Sequence, residues 1–348
     1  MRVGLVGCGL IGRRRAEVVH RSPGDELVVV ADVVEASAHA LAGELGCEGT
    51  SDWEQVANRT DVDAVIVATT HNWLAPITTE ALKHGKHVLV EKPMARNAEE
   101  AEAILKVATD HAIVKVGFNH RHHAAIWKAH EVFDQGVIGR PLFMRCRYGH
   151  GGRPGYDKEW RTDRQKSGGG ELLDQGIHAI DLCRWFLGDF SEVSSFTATY
   201  VWAAQEEQTV AGKPSSTASE GVEDNAFALF RTAAGQVVSL HASWTQWKNL
   251  FSLEIFGEEG YLIVEGLGGS YGAELLKVGR RSMAGGRPQE EVLEFPDTDL
   301  SWEAEWREFV EAVGEGRQPL ANGHDGYQAL KAVQGAYESA RTGSVVRL

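Results

Sequence analysis

Cysteine is scarce in this chain, and what there is forms no pattern. The 348 residues include four, Cys8, Cys47, Cys146 and Cys183, widely scattered and without a C-x-x-C pair. That argues against a disulfide framework and a cysteine-based zinc site. The thiols are read as small buried hydrophobes in a reducing compartment, and no metal is expected. Positive charge is also short, with Lys+Arg 35 against Asp+Glu 49 and a formal net charge of −14. Nucleic acid and anionic lipid repel such a chain, so neither is an expected partner. No apolar run approaches the roughly 20 residues that a membrane-spanning helix needs. The opening, MRVGLVGCGLIG, runs from a strand straight into a glycine turn. It lacks the regions of a signal peptide, which makes the cytoplasm the expected location.

What is present is an ordinary globular composition, 43% hydrophobic and 24% charged, with 39 glycines. The length exceeds the roughly 250–300 residues that one hydrophobic core serves, so two domains are expected. Over residues 1–120, strand-like runs at 2–7, 26–32, 63–69, 87–91 and 113–119 alternate with helical patterns at 11–21, 35–45, 53–58, 74–84 and 98–111. Runs such as Val28-Val29-Val30-Ala31 and Ala64-Val65-Ile66-Val67 are apolar on both faces, as a parallel strand covered on both sides requires. The pattern predicts a doubly wound parallel sheet of Rossmann type.

After a helix at 124–135 the pattern changes. A strand at 142–148, a Gly/Arg-rich loop at 149–170 and a helix at 171–187 lead into β-rich sequence over 193–295. Helices return at 302–313 and 327–340. Residues 121–348 are therefore expected to form an α+β domain on a large, mostly antiparallel open sheet with helices on one face. The C-terminal helices could pack back on the first domain. The Ser/Gly/Glu-rich run at 205–223 is read as an excursion between strands.

Gly7-Cys8-Gly9-Leu10-Ile11-Gly12 fits G-x-G-x-x-G, and it follows an apolar strand and opens a helix. In that context the glycines permit a tight turn and a close approach to a pyrophosphate, with the helix N-terminus donating N–H groups to it. Asp32, twenty residues beyond Gly12, closes the second strand, where a carboxylate accepts from ribose hydroxyls and repels a 2′-phosphate. Val33 follows it, so no arginine stands beside Asp32. NAD(H) is expected rather than NADP. At least two of Arg13, Arg14 and Arg15 are read as solvated helix-face charges.

Glu91-Lys92-Pro93 directly follows a buried strand. Ligands of doubly wound sheets bind beyond the carboxyl ends of the strands, so Lys92 is expected to emerge at the cofactor crevice and to donate to a substrate oxygen. Asp174 and His178, four residues apart in a helical pattern, share a face. Oxidising a secondary alcohol requires removal of the hydroxyl proton as the hydride leaves. A histidine suits that transfer, an adjacent carboxylate can hold its ring, and a lysine can offset charge on the oxygen.

Gly85-Lys-His-Val-Leu-Val-Glu-Lys-Pro93 and Ser167-Gly-Gly-Gly-Glu-Leu-Leu-Asp-Gln-Gly-Ile-His-Ala-Ile-Asp181, together with the glycine fingerprint, resemble the glucose–fructose oxidoreductase / inositol dehydrogenase / rhizopine catabolism (Gfo/Idh/MocA) family across essentially the full length. The resemblance implies a catalytic set of Lys92, Asp174 and His178. It also implies cofactor contacts from Thr69, Asn72, Glu91, Lys92 and Asn119, and a substrate role for Asp181, which could equally pair with Arg184. The loop after the third long strand departs from the family's frequent TPNxxH, with Thr70, His71 and Leu74 in the altered places. Relatives are commonly dimers or tetramers, so a homo-oligomer is expected.

Two stretches hint at the substrate: 119–123 (Asn-His-Arg-His-His), and the basic, aromatic loop from Arg147 through Arg164. Arg121, His150, Tyr156, Trp160 and Arg161 are the candidates there. Flat rings beside polar groups suit a sugar or polyol, and arginines would also suit a carboxylate or phosphate. The expected function is an NAD(H)-dependent hydride transfer on a carbohydrate or polyol. One rival keeps the nucleotide bound for internal redox cycling, as in sugar–sugar oxidoreduction or NAD-dependent glycosidase chemistry. Another is a non-catalytic nucleotide sensor. Which sugar, which carbon and which direction are not legible.

Overall fold

The computed structural model describes residues 1–109, 111–202, 221–296 and 298–348. The run read as an excursion at 205–223 therefore lies outside the described residues up to position 220. The chain divides into two compact units, Met1–Phe118 with Trp302–Leu330, and Asn119–Ser301 with Lys331–Leu348. A single cut at residue 120 would miss one feature of this division: residues 302–330 belong to the first unit.

The first unit is built on six parallel strands: β1 (Arg2–Val6), β2 (Glu26–Ala31), β3 (Glu48–Thr50), β4 (Ala64–Val67), β5 (His87–Val90) and β6 (Val114–Val116). Their order is β3-β2-β1-β4-β5-β6, the doubly wound arrangement whose ligand crevice opens where the order reverses, between β1 and β4. β4 and the last five residues of β2 are wholly buried, so the absence of alternation in the sequence reflects cover on both faces. The helix Ser301–Glu315 supplies Trp302, Trp306 and Phe309 to the core around Val3, Leu5, Val30 and Ile66. Aromatics of this size each remove about 150–250 Å² from water, worth roughly 4–6 kcal/mol apiece at about 25 cal/mol per Å².

In the second unit, β7 (Pro141–Gly149), β8 (Phe190–Ala198), β9 (Asn225–Thr232), β10 (Val237–Ser243), β11 (Leu250–Gly257), β12 (Gly260–Glu265), β13 (Leu275–Arg280), β14 (Gln289–Glu294) and β15 (Val346–Arg347) form one sheet. The order is β14-β13-β12-β11-β7-β10-β9-β8-β15, antiparallel except for the β7–β10 pair. Burial alternates cleanly along β9 and β10. One face carries the helices Ala124–Asp134 and Ile177–Leu187. The other presents Phe143, Phe196, Phe227, Leu229 and Val237 to solvent.

Two local expectations are corrected. The strand at 113–119 stops at Val116, and Asn119–His122 forms a 3-10 turn, so Asn119 opens a turn instead of ending a strand. The helix at 171–187 begins with a widened π turn, Leu172–Gly176, before the α-helix Ile177–Leu187. Among the described residues, no helix is long and apolar enough to cross a membrane.

Candidate active site

The predicted site residues fall into two sets, one in each unit. In the first unit, Gly7, Asp32, Thr69, Glu91 and Lys92 all follow the carboxyl ends of β1, β2, β4 and β5. The glycine turn leaves no room for side chains where it must be tight. Gly7 has φ +101°, and a Cβ there would lie 2.3 Å from the Ala68 carbonyl oxygen; a Cβ at Gly12 would lie 1.7 Å from that of Gly7. At Gly9, by contrast, a Cβ would meet nothing within 4 Å. The helix Leu10–Arg21 starts there with no side-chain cap and no acidic residue in its first turn. Its first N–H groups and its positive end are thus left for an anion. Leu10 is exposed, and Ile11 is partly buried against the core.

Asp32 is held from both sides. Its Oδ2 accepts from the Cys8 backbone N–H at 2.8 Å and its Oδ1 from that of Val34 at 2.9 Å. The carboxylate is thereby tied to the glycine turn. Burial, with Asp32 and Cys47 adding to it, pushes the Cys8 thiol up to about 12, so it is no nucleophile near neutral pH. The departing loop after β4 is organised locally: Thr69 Oγ1 donates to the Thr70 carbonyl and Thr70 Oγ1 to Asn72 Oδ1 at 2.7 Å. Asn72 is already in the helix His71–Lys83.

The three consecutive arginines separate. Arg13 pairs with Glu44 near the surface, and Arg14 lies 4.8 Å from the Trp302 ring. Arg15 is buried, and its Nε and Nη2 donate to Glu91 Oε1 at 2.8 and 2.6 Å while Nη1 meets Glu305. A Cβ at Gly117 would come within 2.8 Å of Arg15 Nη2 and 3.1 Å of Glu91 Oε1, so that glycine makes room for the pair. Glu91 Oε2 in turn accepts from the Lys92 backbone N–H at 3.3 Å. The Glu-Lys-Pro segment is therefore anchored to the cofactor helix. The sequence reading missed this anchor, because Glu305 stands 290 residues from Arg15.

In the second unit, Asp174 lies in the widened turn and His178 in the first turn of the following helix; both are buried. Arg161 Nε donates to Asp174 Oδ2 at 3.1 Å. The His178 ring stacks on His120, with centroids 3.8 Å apart and planes 23° from parallel. His120 was not singled out from sequence, although it lies in the 119–123 stretch. A chain of hydrogen bonds orients it. Ser301 Oγ donates to Asp299 Oδ1 at 2.6 Å and accepts from Asn119 Nδ2 at 2.9 Å, which turns Asn119 Oδ1 toward His120 Nδ1 at 3.2 Å. That nitrogen therefore carries a proton. His123 Nδ1 meets Glu274 Oε1 at 2.6 Å.

The glycines of Ser167-Gly-Gly-Gly170 have a steric reason. A Cβ at Gly169 would sit 2.3 Å from the Tyr337 hydroxyl, and one at Gly170 would sit 1.9 Å from the Glu223 carbonyl oxygen. The half-buried Glu223 carboxylate accepts from the Gly170 and Leu172 N–H groups at 3.1 and 2.9 Å and from Tyr337 Oη at 2.8 Å. It clamps the turn from which the Asp174/His178 helix starts. Burial nonetheless raises its carboxyl above the ordinary glutamate value.

Of the candidate substrate residues, Arg121 and Asp181 bind each other. Arg121 Nε and Nη2 donate to Asp181 Oδ2 and Oδ1 at 2.8 and 2.6 Å, with both side chains buried. Arg184, the partner first considered for Asp181, pairs instead with Asp189. His150 accepts from the Gly152 N–H through Nδ1 at 2.8 Å, and burial lowers its basicity, so the neutral ring is protonated at Nε2. Tyr156 is buried with its ring edge-on to Trp244 at 5.0 Å. Trp160 lies under the Arg161 guanidinium at 4.7 Å.

Comparison with known proteins agrees with this architecture. Residues 1–120 match the oxidoreductase family with an NAD-binding Rossmann fold, and residues 126–263 match the GFO/IDH/MocA C-terminal domain. Levoglucosan dehydrogenase of Pseudarthrobacter phenanthrenivorans is 31% identical over 284 residues, 76% of this chain and 73% of that protein. Inositol 2-dehydrogenase of Rhizobium meliloti is 27% identical, covering 97% of this chain and 96% of its own. A solved structure of levoglucosan dehydrogenase in complex with NADH superposes with a TM-score of 0.88 at 25% identity, covering 100% of this chain and 98% of that one.

Proposed function

The chain belongs to the Gfo/Idh/MocA oxidoreductase family with an NAD-binding Rossmann domain, and from that membership we propose that it oxidises or reduces a neutral sugar or polyol with NAD(H). The uncapped helix, the open space at Gly9 and the doubly held Asp32 fit a dinucleotide with free ribose hydroxyls. Bound there, NAD supplies the hydride acceptor. Gly7, Gly9, Leu10, Ile11 and Gly12 hold its pyrophosphate, and Asp32 its ribose, with further contacts from Thr69, Asn72, Glu91 and Asn119.

His178 takes the hydroxyl proton, Lys92 donates to the same oxygen and offsets its growing charge, and Asp174 accepts a hydrogen bond that orients the reacting groups. The observation that carries the choice of a neutral substrate is the state of Arg153 and Arg161, two of the four arginines from Arg147 to Arg164. Arg153 pairs with Glu159, and Arg161 pairs with Glu159 and Asp174. Their charge is already met within the protein, and a substrate carboxylate or phosphate would have to break those pairs. The names of the relatives, which act on levoglucosan and inositol, support the same class.

The bare sheet face supports self-association. Phe143 stacks on Phe256 at 4.8 Å, Phe227 on His241 at 4.2 Å, and Phe196 stands 73% exposed. A face of this kind, with exposed rings set among paired charges such as Arg145–Glu254 and Arg231–Glu192, suits a second copy of the chain in a closed dimer or a tetramer. The four free cysteines favour the cytoplasm.

The test is absorbance at 340 nm with NAD or NADP against inositols, aldoses, anhydrosugars, uronic acids and NDP-sugars, alongside His178→Ala. We expect NADH formation with a neutral polyol or sugar and its loss in the variant. Turnover confined to uronic acids or NDP-sugars would overturn the neutral-substrate reading. Silence across the panel, with nucleotide released only on denaturation, would replace the dehydrogenase reading by internal redox cycling.

A further inference from the structure

His178 stands in the first turn of the helix Ile177–Leu187, which fixes its Cβ without fixing its ring. The second side-chain torsion of histidine has no sharp staggered wells, so neighbours decide the plane of the imidazole. Here one neighbour lies flat on it. His120 covers a face of the ring, with centroids 3.8 Å apart and planes 23° from parallel. Tyr148 meets the pair at steeper angles, 6.2 Å and 69° from His178 and 5.1 Å and 59° from His120.

His120 can serve as a plate because it is itself held on several sides. The His123 ring stands against it at 5.3 Å and 72°, and Phe251 at 6.1 Å and 66°. His123 is fixed in turn: its Nδ1 meets Glu274 Oε1 at 2.6 Å, and Glu274 Oε2 accepts from the Ala125 N–H at 3.0 Å. In its own plane His120 is set by the chain from Asp299 through Ser301 and Asn119, whose last link reaches Nδ1 at 3.2 Å. Asn119, His120, His123, His178, Glu274 and Ser301 are all buried, and close packing leaves such rings little room to turn. A general base must present one nitrogen along the line of its lone pair, and a misplacement of about 1 Å can cost roughly 100-fold in rate.

We propose that His120 is a positioning residue for His178: its ring holds the proton-accepting imidazole face to face, and the Asp299–Ser301–Asn119 chain holds His120. The role belongs to the flat ring. It asks neither for a proton to pass through His120 nor for contact between His120 and the substrate. The inference rests on His178 as the group that takes the substrate proton.

The test follows the imidazole C–H signals of His178 by NMR in the full chain, assigned through His178→Gln, beside the 340 nm assay with the neutral substrate found on the panel. In the wild type the ring current of the stacked His120 holds these signals upfield. In His120→Ala they move downfield, and kcat falls roughly 10- to 100-fold with KM within about twofold of wild type. His120→Phe, which keeps a flat ring and carries no proton, leaves the signals upfield and recovers most of kcat. Ser301→Ala moves the same signals and lowers kcat by a smaller factor, and Ser301→Thr, which keeps the hydroxyl, restores both. The Ser301 pair leaves both histidines in place, so it decides the matter if His120→Ala does not fold.

His178 signals unmoved in His120→Ala, or in Ser301→Ala where that variant must decide, overturn the proposal. So does a His120→Phe enzyme as slow as His120→Ala, the mark of a role for the ring nitrogens. A KM raised at unchanged kcat, the mark of a substrate ligand, overturns it as well. The NMR signals need no substrate, so an enzyme silent on the whole panel would defeat the dehydrogenase reading and leave the stack and its chain to be decided by those signals.

Discussion

Replacing Asp181 separates two roles that the sequence left even. The structure commits both carboxylate oxygens to Arg121, whose guanidinium also lies 5.5 Å from the Trp185 ring. Asp181 is fully buried and Arg121 is 2% exposed. Asp181→Ala removes two charge-assisted hydrogen bonds and takes this counter-charge from a buried guanidinium. Breaking one side of such a pair costs about 3–5 kcal/mol. In a unit of this size each kcal/mol moves Tm by about 2–4 °C, so the fall should be about 6–20 °C. Thermal and urea unfolding, followed by tryptophan fluorescence, reads this directly. The double variant Arg121→Met/Asp181→Leu, which removes both charges and keeps the volume, should recover most of the loss. A variant Asp181→Ala with a Tm within about 1 °C of wild type and a KM raised tenfold would refute the structural assignment and make Asp181 a substrate ligand.

Two further outcomes follow from the geometry. Asp32→Ser removes the carboxylate that accepts from Cys8 and Val34 and would repel a 2′-phosphate. Charged hydrogen bonds are worth about 1.5–3 kcal/mol each, so the NAD over NADP preference in kcat/KM should narrow by roughly 100-fold, and unchanged selectivity would remove Asp32 from the ribose site. Glu223 is raised by burial, so the folded chain binds a proton more tightly than the unfolded one, and this residue's contribution to stability declines as pH rises from its unfolded value through the raised one. Glu223→Gln never ionises, and its stability relative to wild type should climb from pH 4 to 7 in urea titrations; a flat or falling difference would show that the carboxyl is not raised.

Much of the fold was open to reading. Strands apolar on both faces announced the parallel sheet, and period-two burial along β9 and β10 announced the open one. The glycine turn and Asp32 were legible because their chemistry is local: turn, helix start and carboxylate lie within one βαβ unit. β3 escaped notice because Glu-Gly-Thr carries no hydrophobic signal and pairs on one side only. Periodicity says which face is buried but not which partner waits there. Arg121 therefore looked available to a substrate until Asp181, sixty positions away, was found opposite it. Arg15 stood among three arginines of which at least two were read as solvated, and only the fold showed it to be the buried one, with Glu91 and Glu305 brought to it. The widened turn beneath Asp174 has no sequence mark of its own. The glycines before it did have one, since three in succession ask what they make room for, and Glu223 with Tyr337 is the answer.

The discontinuity of the first unit bears on how the molecule is made. The sheet β1–β6 is complete by residue 116, yet part of its core, Trp302, Trp306 and Phe309, comes from residues 302–330 of the same unit. During synthesis the opening third of the chain must therefore wait, with part of its apolar surface uncovered, while eight of the nine strands of the second sheet, β7 to β14, are translated. At roughly 5–20 residues per second, that interval of nearly 200 residues lasts about 10–40 seconds. A fragment ending near residue 120 keeps every cofactor-binding glycine and loses that cover, so it should emerge as an aggregating species rather than a portable nucleotide-binding module.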